Sequence, residues 1–160
     1  MFYGSIIFEA SLILKFNYGL YNIKELKIKE MFIMEAQQLL NYENWVVVGD
    51  VLNRAKYAHR ILNSLKDAGF NVAGVNPRDT SGNAYKSLSE VPYNIEVIDL
   101  CINSINGMTI LKEALDLGIK RILIQPGAES DEILGFCQSN HIIAIEGCAL
   151  IELSYYKRKI

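Results

Sequence analysis

Histidine and cysteine are scarce in this 160-residue chain, at two and three residues. The cysteines, Cys101, Cys137 and Cys148, are odd in number and form no CxxC pair. That usage speaks against a disulfide framework and against a Cys/His zinc site; no metal is expected, and the expected setting is a reducing, cytoplasmic one. Excess charge is missing too. Lys and Arg number 16 against 18 Asp and Glu, a formal net charge of -2, and Lys157-Arg158-Lys159 is the one basic run. That run reads as a solvated tail, so there is no electrostatic case for nucleic acid.

Long apolar runs are absent as well. The stretch SIIFEASLILKF is broken by Glu9 and Lys15. It is too short to span a bilayer and lacks the basic start and small-residue cleavage site of a signal peptide. No membrane association is expected. Apolar residues at Ile6, Phe8, Ala10, Leu12, Leu14 and Phe16 alternate as in a strand, and residues 23–40 read as an amphipathic helix. Met31 and Met34 precede the first regular element, so a start at Met34 stays open beside the chain as given. Residues 1–33 are therefore set apart as an N-terminal extension, and 34–160 as the domain.

What is present is a repeating alternation, in a chain that is 51% apolar and 21% charged. WVVVG, from Trp45, is a β-branched run closed by glycine, as in a strand buried on both faces. Tyr57, Ile61, Leu62, Leu65 and Ala68 come next at helical spacing, with Gly69 at the C-cap position. FNVAGVNP is a second strand stopped by proline, and a turn-rich loop comes after it with a short helical piece around Ser87–Val91. IEVIDLCI, KRILIQPG and IIAIEGC are three more strands, separated by helices. Ser130 is placed to cap the second of these, and ALIELSYYKRK closes the chain as a helix.

Strands alternating with helices imply right-handed βαβ crossovers. The expected fold is α/β: a single doubly wound, Rossmann-like domain with a five-stranded parallel sheet. Ligands of such sheets bind beyond the carboxyl ends of the strands, at the switch point of strand order. The segments to inspect are Gly49–Lys56, Asn76–Arg78, Cys101–Ser104, Gln125–Gly127 and Glu146–Cys148.

A dinucleotide fingerprint needs GxGxxG after the first strand. This chain has Gly49-Asp50-Val51-Leu52-Asn53-Arg54, with the first glycine alone. The second strand should end in an acidic residue for the ribose, yet it ends in Asn76-Pro77-Arg78. NAD fails on both counts. An arginine there suits a ligand with an additional phosphate on its adenosine end, NADP or coenzyme A. Lys56 adds a cation near the first helix.

The chain resembles the small stand-alone CoA-binding proteins, relatives of the CoA-binding domain of succinyl-CoA synthetase α subunits. The likeness runs over about residues 41–153. It rests on VVVG with DVLNRAKYAHRILNSL, GFNVAGVNPR, GNAYKSLSEVP, IEVIDL, EALDLGIKRILIQPGA and EGCALIE, in that order. It implies a CoA or acyl-CoA binding module, a carrier, sensor or partner subunit, in which a longer first turn replaces the three glycines. The implied contacts are Gly49, Asn53 and Lys56, then Asn76, Pro77 and Arg78, then Gln125 and Gly127. Asp50 and Val51 of the first loop and Ile102 and Asn103 after the third strand complete the candidate site. Val51 stands where relatives often carry a small hydroxyl, which leaves backbone amides to meet the phosphate, and Ile102-Asn103-Ser104 replaces an arginine-rich stretch. Tyr85 and Ser87-Leu88 match a Y-x-S-L element.

No nucleophile, base and orienting group come together, so no catalytic residue is assigned. His59 is expected on the surface of the first helix, and Cys101 and Cys148 as buried thiols. Gly49→Val is expected to remove binding and spare the fold, since the position lies at the end of a strand. The alternative function is an NADP-type oxidoreductase or redox sensor with a degenerate fingerprint. The ligand is a small nucleotide under either reading, and a homo-oligomer or protein partner stays open.

Overall fold

The first strand, β1 (Asn44–Gly49), is buried from Trp45 to Gly49 and lies at the centre of the domain. A computed structural model of the chain describes residues 34–156. The alternating stretch Ile6–Phe16, most of the amphipathic pattern at 23–40 and the tail Lys157-Arg158-Lys159 lie outside the described residues. Of the amphipathic pattern, Ala36–Asn41 is a 3-10 helix, and its Leu39 and Leu40 are buried.

From β1 the chain passes through α1 (Tyr57–Asp67) to β2 (Asn71–Val75). It then crosses by a long loop to β3 (Val97–Cys101). The order continues with α2 (Ser104–Asp116), β4 (Arg121–Ile124), α3 (Asp131–Ser139), β5 (Ile143–Glu146) and α4 (Ala149–Tyr155). The sheet order is β2-β1-β3-β4-β5, and every pairing is parallel. Helices α1 and α4 touch each other, as do α2 and α3, so each pair covers one face. The fold is the doubly wound, Rossmann-like α/β domain that the alternation predicts.

Successive side chains of a strand point to opposite faces. Val46 and Val48 of β1, with Ile98 and Leu100 of β3 and Ile122 and Ile124 of β4, form one core layer. Ile110, Leu111 and Ala114 of α2 and Ile133 and Cys137 of α3 close it. Burying each such side chain is worth about 1.5–3 kcal/mol. Trp45 and Val47, fully buried in the same strand, point to the other face.

The crossover from β2 to β3 carries no α-helix. Its one helical piece is a 3-10 turn, Leu88–Glu90, with Leu88 buried in the core layer. Tyr85 pairs with Val75, and Tyr85 N–H donates to the Gly74 carbonyl at 3.1 Å. The Y-x-S-L element thus extends the edge of the sheet and plugs the core. Among the described residues, no helix is long and apolar enough to cross a membrane.

Candidate functional site

Strand order reverses between β2 and β3, both neighbours of β1, so the switch point lies where Gly49 faces Cys101. A cleft of about 540 Å³ opens there, within the usual size of ligand sites of about 300–1,000 Å³. Asp50, Lys56, Arg78, Ile102, Asn103, Gln125 and Gly127, all singled out from the sequence, line it. Tyr57, Ala58, Cys101, Pro126, Ala128, Cys148 and Ile151 line it too. A larger depression of 730 Å³ lies at the other end of the strands, between Gln37, Phe70 and Tyr156 among others.

The other five named residues do not line the cleft; they shape the loops around it. Gly49 is buried, with φ +156°, and a Cβ there would sit 2.7 Å from the Cys101 carbonyl oxygen and 3.1 Å from the Ala58 Cβ. No Cβ fits against a neighbouring strand's backbone at that distance. The expectation that Gly49→Val spares the fold is therefore corrected: glycine is needed for the β1–β3 approach itself.

Val51 is 1% exposed, and its side chain fills the space that Gly74 leaves by lacking a Cβ. Its N–H donates to the Gly49 carbonyl at 2.9 Å, so this amide is already engaged. Of the Gly49–Lys56 loop amides expected to meet the phosphate, that of Val51 is thus taken up within a tight turn. His59, expected as a plain surface residue, is half-buried and places Nδ1 2.8 Å from the Val51 carbonyl oxygen, tying helix to loop.

Asn53 and Asn76 build turns. Asn53 Oδ1 accepts from Ala55 N–H at 3.0 Å, and Asn76 Oδ1 accepts from Arg78 N–H at 3.1 Å. Pro77 is the exposed residue between Asn76 and Arg78. Asp79, which sequence reasoning missed, organises the loop beyond Arg78. Its carboxylate accepts from Ser81 N–H, Ser81 Oγ–H, Asn83 N–H and Ala84 N–H at 2.7–3.0 Å. The Ser81 bonds above all lower its pKa to about 2. A side chain that accepts four bonds fixes that loop in place. The signal was legible in RDTSGN, an acidic residue with turn formers directly after it.

The end of α1 facing the cleft is open to an anion. Its N-cap is Lys56, which makes no side-chain cap bond, and the first turn holds no acidic residue. The first N–H groups of a helix have no intrahelical partner and carry partial positive charge. The starts of α2 and α3 differ. Asn103 Oδ1 caps α2 by accepting from Asn106 N–H at 3.0 Å. Ser130 caps α3 as predicted, at 3.2 Å from Ile133 N, with Asp131 and Glu132 in the first turn.

The floor of the cleft is a buried polar chain. Asp99 is fully buried; Gln125 Nε2 donates to its Oδ2 at 2.7 Å and the Cys101 thiol to its Oδ1 at 3.3 Å. Gln125 Oε1 accepts from Ala149 N–H at 3.4 Å. Desolvation raises the Asp99 carboxyl from 3.8 to about 7, against the opposing effect of the Cys101 and Gln125 bonds. Burial, with the nearby Asp99 carboxylate, pushes the Cys101 thiol up strongly. Cys101 and Cys148, expected as buried thiols, are half-buried and reach the cleft, because each sits at or just past a strand end.

Comparison with known proteins gives this geometry its family. Residues 43–154 match the model of the CoA binding domain. The chain is similar to a conserved hypothetical protein from Pyrococcus furiosus, with 35% identity, a TM-score of 0.63, and coverage of 69% of this chain and 99% of that one. A hypothetical protein from Pyrococcus horikoshii shares the fold at 24% identity and a TM-score of 0.65, over 85% of this chain and 92% of that one. A dinucleotide-forming acetyl-coenzyme A synthetase of Ca. Korarchaeum cryptofilum, solved with phosphate and ADP, shares the fold at 20% identity and a TM-score of 0.53. That match covers 69% of this chain and 27% of the synthetase. No curated protein matches the chain. With a family model spanning the whole sheet and a cleft at its switch point, the chain belongs to the CoA-binding domain family.

Proposed function

We infer that the cleft binds CoA or acyl-CoA and that the protein acts through binding, as a carrier, a sensor or a partner subunit. One observation carries the placement of the ligand. The α1 N-terminus is uncapped, free of carboxylates in its first turn, and opens into the cleft between Lys56 and Arg78. Such an end favours a phosphate group. The pyrophosphate lies against the amides at Tyr57 and Ala58, with Lys56 beside it. Arg78, exposed at the end of its turn, reaches the 3′-phosphate of the adenosine end.

Within this placement Gly49, Val51, Asn53, Asn76 and Pro77 act by setting loop shape. Lys56, Arg78 and the α1 amides make the contacts. Ile102, Asn103, Gln125 and Gly127 supply the opposite wall. Gly127, at φ +92°, takes a conformation that L side chains rarely adopt.

Titration of the purified chain with CoA, acetyl-CoA, NAD and NADP tests this reading by calorimetry and thermal shift. Ligand binding to the folded state raises the melting temperature by mass action. CoA or acetyl-CoA should bind and NAD should not. Tighter binding of NADP than of CoA would replace this reading with the NADP one.

A further inference from the structure

Asp99 lies beneath the cleft with none of its surface exposed, and the binding contacts placed above make no use of it. Its side chain shares a strand face with Cys101, two residues on. Among the described residues, the elements packed on that face bury apolar side chains. Val47 of β1 and Leu123 of β4 flank Asp99 in register. Helix α1 buries Ala58, Ile61, Leu62 and Leu65, and the 3-10 helix buries Leu39 and Leu40. At the cleft end stand Tyr57, His59 and Arg60 of α1, with Cys148 and Glu152 at the α4 start. Asp50, Lys56 and Arg78 lie around the opening. None of these bonds to Asp99; its side-chain partners are Gln125 and Cys101.

The two partners are not equivalent. Gln125 Oε1 accepts from Ala149 N–H at 3.4 Å, which turns Nε2 to Asp99 Oδ2 at 2.7 Å and keeps that oxygen an acceptor. The contact of Oδ1 with Cys101 Sγ, at 3.3 Å, works in both directions, since a thiol donates and accepts. With the carboxylate charged, S–H donates to Oδ1. With Oδ1 protonated, O–H donates to the sulfur, and the S–H is free to turn into the cleft that Cys101 lines. One proton is added or removed there while the Gln125 and Ala149 bonds stay in place.

A buried carboxylate held by one amide and one thiol is poorly compensated for the water it has lost, and this desolvation brings its pKa to about 7. An anion in the cleft adds like-charge repulsion, which carries further through a low-dielectric interior. We propose that Asp99 takes up a proton when a phosphate-bearing ligand binds in the cleft, so that pH sets the affinity through the Asp99–Cys101 pair. This rests on the cleft holding a phosphate against α1.

Calorimetry of dephospho-CoA binding to the full chain, at about pH 7.5 in buffers of different ionisation enthalpy, counts the protons. The pyrophosphate of this ligand does not titrate near that pH. A ligand that raises the Asp99 pKa by about one unit should bring in about half a proton per site. Affinity should then fall about sevenfold from about pH 6 to about pH 8.5, the sign that follows when binding takes up a proton. Asp99→Asn keeps an acceptor for Gln125 and carries no charge, so it should bind without that uptake and without that decline. Cys101→Ser, with a stronger donor, should move the decline to lower pH, and Cys101→Ala should move it higher. Equal proton uptake in wild type and Asp99→Asn, or a decline that neither Cys101 substitution moves, would overturn the proposal. Binding with no uptake refutes the coupling and leaves the cleft standing; no binding of CoA or dephospho-CoA at any pH refutes both.

Discussion

Replacing Gly49 with alanine should damage the sheet before it touches any ligand. The new Cβ would stand 2.7 Å from the Cys101 carbonyl oxygen and 3.1 Å from both the Cys101 Cβ and the Ala58 Cβ. Backbone of the paired strand cannot swing aside like a long side chain, and α1 packs from the other direction. Overpacking of this kind costs about 1–3 kcal/mol. The positive φ of Gly49 adds on the order of 1–3 kcal/mol for a residue with a Cβ. The combined loss, about 2–6 kcal/mol, is a large part of the roughly 5–15 kcal/mol by which domains are usually stable. Urea denaturation of wild type and Gly49→Ala, monitored by circular dichroism without ligand, measures it. An unchanged slope with a midpoint lowered to match is the expected outcome. A loss below about 1 kcal/mol would mean that β1 and β3 are further apart at this point than described.

Arg78→Ala should weaken CoA binding by about 1.5–3 kcal/mol, the scale of a charged hydrogen bond, and weaken dephospho-CoA much less; equal losses by calorimetry would remove Arg78 from the 3′-phosphate. Lys56→Glu should weaken CoA binding most at low ionic strength, because salt screens exposed charges; a salt-independent loss would contradict a phosphate beside Lys56. Asp99 gives a pH dependence whose sign is fixed by its raised pKa. The folded state holds the proton more tightly than the unfolded one, so stability is greatest with the carboxyl protonated and falls as pH rises from 3.8 to about 7. Asp99→Asn should flatten that decline in denaturation midpoints across the same range, and a parallel decline in the variant would point to other groups. A chain beginning at Met34 should melt cooperatively near the temperature of the full chain, and a drop of several degrees would show that residues 1–33 contribute to the fold.

The strands and helices were legible because their signals are local and repeated. A β-branched run ending in glycine, an apolar stripe closing at Gly69 and a serine ahead of Asp131-Glu132 each state an element without reference to the rest of the chain. The loop edges came from topology, which is why Lys56, Arg78, Gln125 and Gly127 could be named. What was hidden depends on pairs far apart in sequence. Gly49 looked like an opening for phosphate because nothing local shows that Cys101 approaches it from β3. Val51 looked like a ligand contact, yet its destination is the gap at Gly74. The Asp99, Cys101 and Gln125 chain requires β3 and β4 to be aligned side by side, and no spacing along the sequence encodes that. Asp79 is the exception, since its partners are two to five residues away and the turn formers were in plain view.

Asp79 has a further consequence, because its partners all lie within its own loop. The segment that presents Arg78 is held by a carboxylate and its neighbours instead of by helix packing, so it is a separable module on the rim of the sheet. With the ligand placed as proposed, a change at Arg78 would alter how the far end of the nucleotide is recognised without reaching the core layer built on Val46 and Val48. A change at Asp79 does the reverse: it leaves the cation in the chain but releases it from its place. Under that placement, ligand preference and loop rigidity would lie on adjacent residues, two quantities that in a helix-borne site would be locked together.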